Sequence, residues 1–223
     1  VYNELIKSLK HESLSIMEDT KCSQISNIVY PDNKDTKHKG RGLSGSYGQK
    51  GFFNIFNKDG KAKYSYKPEI IKQYKKPILY HHSESVNEFS SKIASLLESI
   101  IGDQTKSRPG IIFIYSRFLF SGVLPIALAL EHAGFAKYGP GGNLLNYPEY
   151  KKSAKNPWET KGEPLGYNSK PKSKLTKTDN FKRGKYMILS GDNELSKNNA
   201  NELKVAISEK NKNGEEIKII LGT

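Results

Sequence analysis

The residues best suited to chemistry in this 223-residue chain follow three short apolar runs. They are Ser116-Arg117 after Ile111 to Tyr115, Ser190-Gly191-Asp192 after Tyr186 to Leu189, and Gly222-Thr223 after Ile217 to Leu221. Small hydroxyls, glycine amides and a guanidinium are what a phosphodiester backbone asks for, because they donate to phosphate oxygens without reading base edges. The plainer alternative is that they are strand-to-loop punctuation, which any α/β domain has.

Their value depends on the elements that carry them. GIIFIYSRF, residues 110–118, is five apolar or aromatic residues bounded by a Pro-Gly break and a polar exit, the pattern of a strand buried on both faces of a parallel sheet. We expect it to be the central strand, with Ser116 and Arg117 at the carboxyl end where open α/β sheets collect ligands. Helices frame it. Ser85 to Ile101 places Phe89, Ile93, Leu96, Leu97 and Ile100 on one face, with Ser83 or Ser85 as N-cap and Gly102 as stop. Gly122 to His132 is a second helix; Pro125 is tolerated only in its first turn, so the start lies near Ser121, and Gly134 closes it. Ser196 to Lys210, capped near Asp192 or Ser196, turns Leu203, Val205, Ala206 and Ile207 inward and leads through Asn213-Gly214 to the last strand. The order strand, helix, strand, helix, strand implies a parallel sheet. Its three polar exits then share one rim, one or two strand spacings of roughly 4.8 Å apart.

Composition narrows the partners. A net charge of +13 and a pI near 9.5 favour a polyanion, either nucleic acid or an acidic membrane surface. Residues 136–185 carry much of the excess, with 12 Lys or Arg against 4 Asp or Glu and no regular apolar period. They read as a basic surface insertion, partly disordered, in which Trp158 is a packing anchor or a base-stacking platform. No apolar run reaches the roughly 18 residues of a membrane span, and no signal peptide opens the chain. A single cysteine, Cys22, fits a reducing compartment, and five scattered histidines give a metal site little support. The expected location is therefore soluble and intracellular. A start without Met and an end on a strand read as a fragment of a longer polypeptide.

The first 83 residues read as an irregular linker region ahead of the domain at 84–223. Leu5, Ile6 and Leu9 suit a short helix, and residues 34–50 a flexible basic loop. Within it GRGLSGSYGQKG, residues 40–51, fails as a phosphate loop, since Lys50 is followed by Gly51 and Phe52 where Ser or Thr is needed. Phe52, Phe53, Ile55 and Phe56 read as an aromatic anchor packed onto that domain. Tyr64, Tyr66, Tyr74 and Tyr80, interleaved with lysines, could stack bases, but covering a flank with their polar tips in water is the simpler reading. His81-His82 reads as solvated or as a helix entry.

IIFIYSRFLFSGVLPIALALEHAGF, then YMILSGD, then NKNGEEIKIILGT, in this order and spacing, resemble the second RecA-like domain of superfamily 2 helicases. The segments are similar to helicase-like ATPases of nucleocytoplasmic large DNA viruses, including relatives of the poxviral early transcription factor small subunit and nucleoside triphosphate phosphohydrolase. SNIVYP, residues 26–31, and Gly51 to Phe53 look like the linker those proteins carry. The resemblance implies an α/β, RecA-like (P-loop NTPase type) parallel sheet flanked by helices, incomplete here. IIFIYSRF would be motif IV, LSGD a later backbone-contacting segment and IKIILGT the first half of motif V. It implies ATP-driven unwinding or translocation on nucleic acid, DNA ahead of RNA, with ATP and Mg²⁺ held mainly by a first RecA-like domain. Walker A, the Asp-Glu box and motif VI do not occur here, so the chain alone should not hydrolyse ATP. It implies nucleic-acid contacts at Ser116, Arg117, Ser190, Gly191, Asp192, Gly222 and Thr223, and no catalytic or metal residues. Partners would be nucleic acid, the first RecA-like domain and viral transcription machinery, in host cytoplasm, viral factory or virion. The competing reading is a non-catalytic basic interaction module of a virion or transcription complex. A Rossmann-type enzyme is disfavoured, because no Gly-x-Gly-x-x-Gly follows a strand.

Overall fold

In the computed structural model the apolar runs form parallel strands that bring their carboxyl ends level. The structure describes residues 16–31, 45–74, 76–80, 85–102, 109–146, 163–176 and 180–223. The expectations for Leu5, Ile6 and Leu9, for residues 34–44, for His81-His82 and for Trp158 lie outside them.

Two strands form a small antiparallel hairpin, β1 (Phe56–Lys58) and β2 (Tyr64–Tyr66). The main sheet holds β3 (Ile112–Tyr115), β4 (Ala136–Lys137), β5 (Lys185–Leu189) and β6 (Ile219–Gly222), all parallel, in the order β3-β6-β5-β4. The helices are α1 (Ile16–Asn27), α2 (Gly48–Ile55), α3 (Pro68–Gln73), α4 (Ser85–Phe89), α5 (Ser91–Ile101), α6 (Leu124–His132) and α7 (Asn199–Ala206). The fold is α/β, a four-stranded parallel sheet flanked by helices, as the sequence implied.

One position in that sheet departs from expectation. β3 is an edge strand among the described residues, not the central one; β5 and β6 take the middle. One face of the sheet packs Ile112, Ile114, Tyr186, Ile188, Ile219 and Leu221 into a core shared with α5 and α6. The other face is smaller, with Met187 and Ile220 packed near Ala206 of α7. This second cluster does not reach the outer face of β3, so Phe113 and Tyr115 are 62% and 65% exposed. A continuous apolar run cannot separate a strand covered on two faces from one covered on one face. α7 is also shorter than expected, and Ile207, just past its end, points to solvent instead of inward.

The helix read as Ser85 to Ile101 breaks at Ser90. Ser90 is extended, its hydroxyl accepts from the Ile93 amide at 3.0 Å and donates to the Asn27 carbonyl at 2.5 Å, and the freed Phe89 carbonyl accepts from Val29. One serine thus caps α5 and fastens the end of α1, while the cap expected of Ser83 or Ser85 lies outside the described residues and side chains. Gly102 ends α5 as expected. Pro125 sits in the first turn of α6, preceded by a π-helical turn at Leu119–Val123. Gly134 closes it with φ +105°, where a Cβ would stand 2.1 Å from the Glu163 carbonyl oxygen.

The upstream region packs into the same core. Phe52, Ile55 and Phe56 are buried, and the Phe52 and Phe120 ring centroids lie 5.5 Å apart. Gly48 to Lys50, expected in a loop, open α2, and the Gly48 amide donates to the Ser121 hydroxyl at 2.7 Å. Tyr64 and Tyr66 are buried with the hairpin, which removes them as base-stacking candidates. The basic insertion is not all surface. Leu144, Leu145 and Leu165 are buried, and Ala136–Lys137 supply β4. A buried carboxylate holds this part down. Glu131 of α6 accepts from the Leu144 and Leu145 amides, each at 2.7 Å, and from the Tyr186 hydroxyl at 2.5 Å.

Candidate nucleic-acid interface

Register decides which strand exits meet. Tyr115 of β3 and Leu189 of β5 both pair with Gly222 of β6, so the three ends stand level. The Ser116 amide donates to the Gly222 carbonyl at 3.0 Å, and the Thr223 amide to the Leu189 carbonyl at 3.1 Å. Ser116-Arg117, Gly222-Thr223 and Ser190-Gly191-Asp192 therefore line one rim, about 10 Å across over two strand spacings.

The rim residues differ in what they have left to offer. Arg117 is exposed; its Nη2 donates to the Thr20 hydroxyl at 3.0 Å and its guanidinium lies 4.9 Å from the Phe118 ring centroid. Ser116 Oγ makes two long contacts, 3.3 Å each, with the Phe118 amide and carbonyl. Gly122 makes room for it, since a Cβ there would stand 2.0 Å from Ser116 Oγ. Gly191 is exposed with nothing within 4 Å of an added Cβ, so its backbone is approachable. Thr223 is exposed too. Three residues are committed elsewhere. Gly222 is buried and its carbonyl is used by Ser116. Ser190 Oγ accepts from the Asp192 amide at 3.0 Å, and Asp192 Oδ1 accepts from Glu194 and Leu195 at 2.8 and 3.3 Å, forming the turn into α7. Asp192 thus shapes the rim, and its negative charge works against a phosphate.

A cavity of about 370 Å³ opens beside the β3 exit, lined by Arg117, Ser116, Ser121 and Tyr115 and by Ser23, Ser26, Asn27 and Lys92 across from them. Lys92 Nζ donates to Ser26 Oγ at 3.0 Å and Asn27 Oδ1 at 3.2 Å. Two cations and several hydroxyls around one opening suit an anion. In sequence, Lys92 and the α1 residues gave no sign of this role, because they reach the rim only through the Ser90 break that docks α1 on α5.

At the far edge, β4 ends in Lys137, whose ammonium is pushed down by burial while Glu202 and Glu131 oppose that shift. Glu202, opposite it, is raised by burial. Tyr64, below the Asp192 turn, is pushed up to about 12, first by burial and then by Asp192 and Glu194. No group of three or more His, Cys, Asp and Glu among the described residues could hold a metal ion. No helix among them is long and apolar enough to cross a membrane.

Comparison with protein-family models, curated proteins and solved structures finds no match.

Proposed function

We propose that this chain binds the sugar-phosphate backbone of single-stranded nucleic acid along the carboxyl rim of its sheet, as the second RecA-like part of an ATP-dependent helicase or translocase of superfamily 2. The observation that carries the reading is the level alignment of three strand exits at Tyr115, Gly222 and Leu189, with Arg117 and Lys92 lining the adjoining cavity. A charge of +13 supplies the long-range attraction. The chain's role is to hold the strand, while ATP and Mg²⁺ belong to a first RecA-like domain of the same polypeptide. A large DNA virus as source, and work in its transcription, rest on the sequence resemblance alone.

Hydrogen bonds and charge do the binding, so affinity for an oligo-dT should fall steeply with salt and vary little with sequence. Fluorescence anisotropy on the 223-residue chain measures it. Arg117→Ala should weaken binding about ten- to a hundred-fold, from the roughly 1.5–3 kcal/mol of a charged hydrogen bond. No binding at low salt removes the proposal, and an unchanged affinity in Arg117→Ala removes the rim from it.

The open aromatic face of β3 favours a second reading, an interaction module without its own catalysis. Phe113 and Tyr115, both exposed on the outer face of β3, offer a protein partner two neighbouring aromatic rings. Loss of a pulled-down partner, but not of oligo-dT binding, in Phe113→Ser would support it.

A further inference from the structure

We propose that the nucleic-acid track continues past β5 to the end of β4, where Lys61, Lys137 and Lys197 take a further phosphate of the same strand; this rests on the backbone-binding reading above. A second cavity, about 90 Å³, lies there, lined by Lys61, Lys63, Lys137 and Lys197 together with Glu194, Glu202 and the loop at 140–142. It adjoins the rim directly, because the turn after Ser190-Gly191 supplies Glu194, Leu195 and Lys197 to its wall.

The lining has been sorted by the fold into groups that build the pocket and groups that face its opening. Lys63 builds: its Nζ donates to the Gly141 carbonyl at 2.6 Å and to the Asn143 carbonyl, fixing the glycine-rich loop. Glu194 is answered from outside by Lys58 at 2.6 Å. Glu202 abuts Gly139, where a Cβ would stand 2.2 Å from its Oε1, and offsets Lys137. Lys61 and Lys197 remain exposed at the mouth. Gly141 and Gly142 hold φ of +89° and +63°, and an added Cβ at either meets nothing within 4 Å. Glycine here meets a left-handed backbone and leaves main chain that a ligand can approach closely. Cations around an accessible glycine backbone suit a phosphate group, and the rim offers the preceding phosphates of one strand. From Ser116 to this cavity the track crosses three strand spacings, about 14 Å.

The test compares salt dependence of oligo-dT binding by the 223-residue chain and two double variants of equal charge change. Lys61→Ala with Lys197→Ala removes the mouth of the cavity. Lys210→Ala with Lys212→Ala removes two exposed lysines that precede β6, at the opposite end of the sheet. Single-strand binding loses about 0.7 in the slope of log K against log salt per phosphate contact. The first variant should flatten the slope by about 0.7, the value of the one phosphate lost, and the second should leave it within about 0.3 of wild type. Equal effects of the two variants would overturn the inference while the Arg117 result still stood. Absent binding by wild type would instead overturn the underlying reading. If calorimetry shows inorganic phosphate binding lost in Lys61→Ala/Lys197→Ala while the oligonucleotide slope is unmoved, the cavity takes a free phosphate and the track ends at β5.

Discussion

Glu131 offers a test of how the basic segment after α6 is anchored to the sheet. Its carboxyl is buried and meets three donors, the Leu144 and Leu145 amides and the Tyr186 hydroxyl. Burial pushes it up to about 7 from an ordinary 4.5, against the lowering effect of those three hydrogen bonds and of Lys63. A carboxyl that holds its proton more tightly when folded favours the folded state at low pH. Its contribution is therefore largest below pH 4.5, declines as pH rises through about 7, and is flat above. At about 1.4 kcal/mol per pH unit the decline is about 3 kcal/mol. Glu131→Gln removes this titration. Its amide nitrogen must also face a donor, either the Leu145 amide or the Leu144 amide with Tyr186, so one buried N–H goes unpaired at a cost of about 1–3 kcal/mol above pH 7. Urea unfolding at pH 5, 6, 7 and 8, with the m-value checked for constancy, measures both effects. The difference between wild type and Glu131→Gln should shrink as pH rises. A constant difference across that range would refute the reasoning.

Three further outcomes follow from packing. Asn211→Ala removes four hydrogen bonds, to the Ala206 and Ile217 carbonyls and from the Glu216 and Ile217 amides, and should cost about 3 kcal/mol or more in urea unfolding. Ser90→Ala should cost about 1–2 kcal/mol and raise amide exchange in both α1 and α5, since the one hydroxyl serves both. Gly122→Ala drives a methyl toward Ser116 Oγ and should destabilise by about 1–3 kcal/mol while weakening oligo-dT binding; full stability with full binding would contradict the packing at the β3 exit.

Periodicity and breakers made the parallel sheet legible. Ile111 to Tyr115, Tyr186 to Leu189 and Ile217 to Leu221 became strands within a residue or two, and Pro125 and Gly134 marked the ends of α6. Strand order was not legible, because β4 is two residues long and lies in a segment whose charge hides Leu144, Leu145 and Leu165. β3 reads as the middle strand because its continuous apolar run suggests cover on both faces, yet β6 and β5 lie inside it and its outer face stays open. The Ser90 break was hidden for another reason: the apolar face runs through it, and only the contact with Asn27, 63 residues away in sequence, shows why the chain bends there. The same holds at the rim. Ser116 and Arg117 stood out beside a strand, whereas Lys92 lines the adjoining cavity only through tertiary contacts, which local patterns do not encode. Asp192 was legible as a rim residue, but its commitment to a turn was not.

The most direct test of the rim is to ask which amides feel the ligand. Backbone amide shifts of the isotope-labelled chain, followed during titration with oligo-dT at low salt, report this residue by residue. The account predicts the largest changes at Arg117, Gly191 and Thr223, with Lys92 among them. Changes centred instead on the amino-terminal ends of the strands, around Gly110 and Gly214, would contradict it.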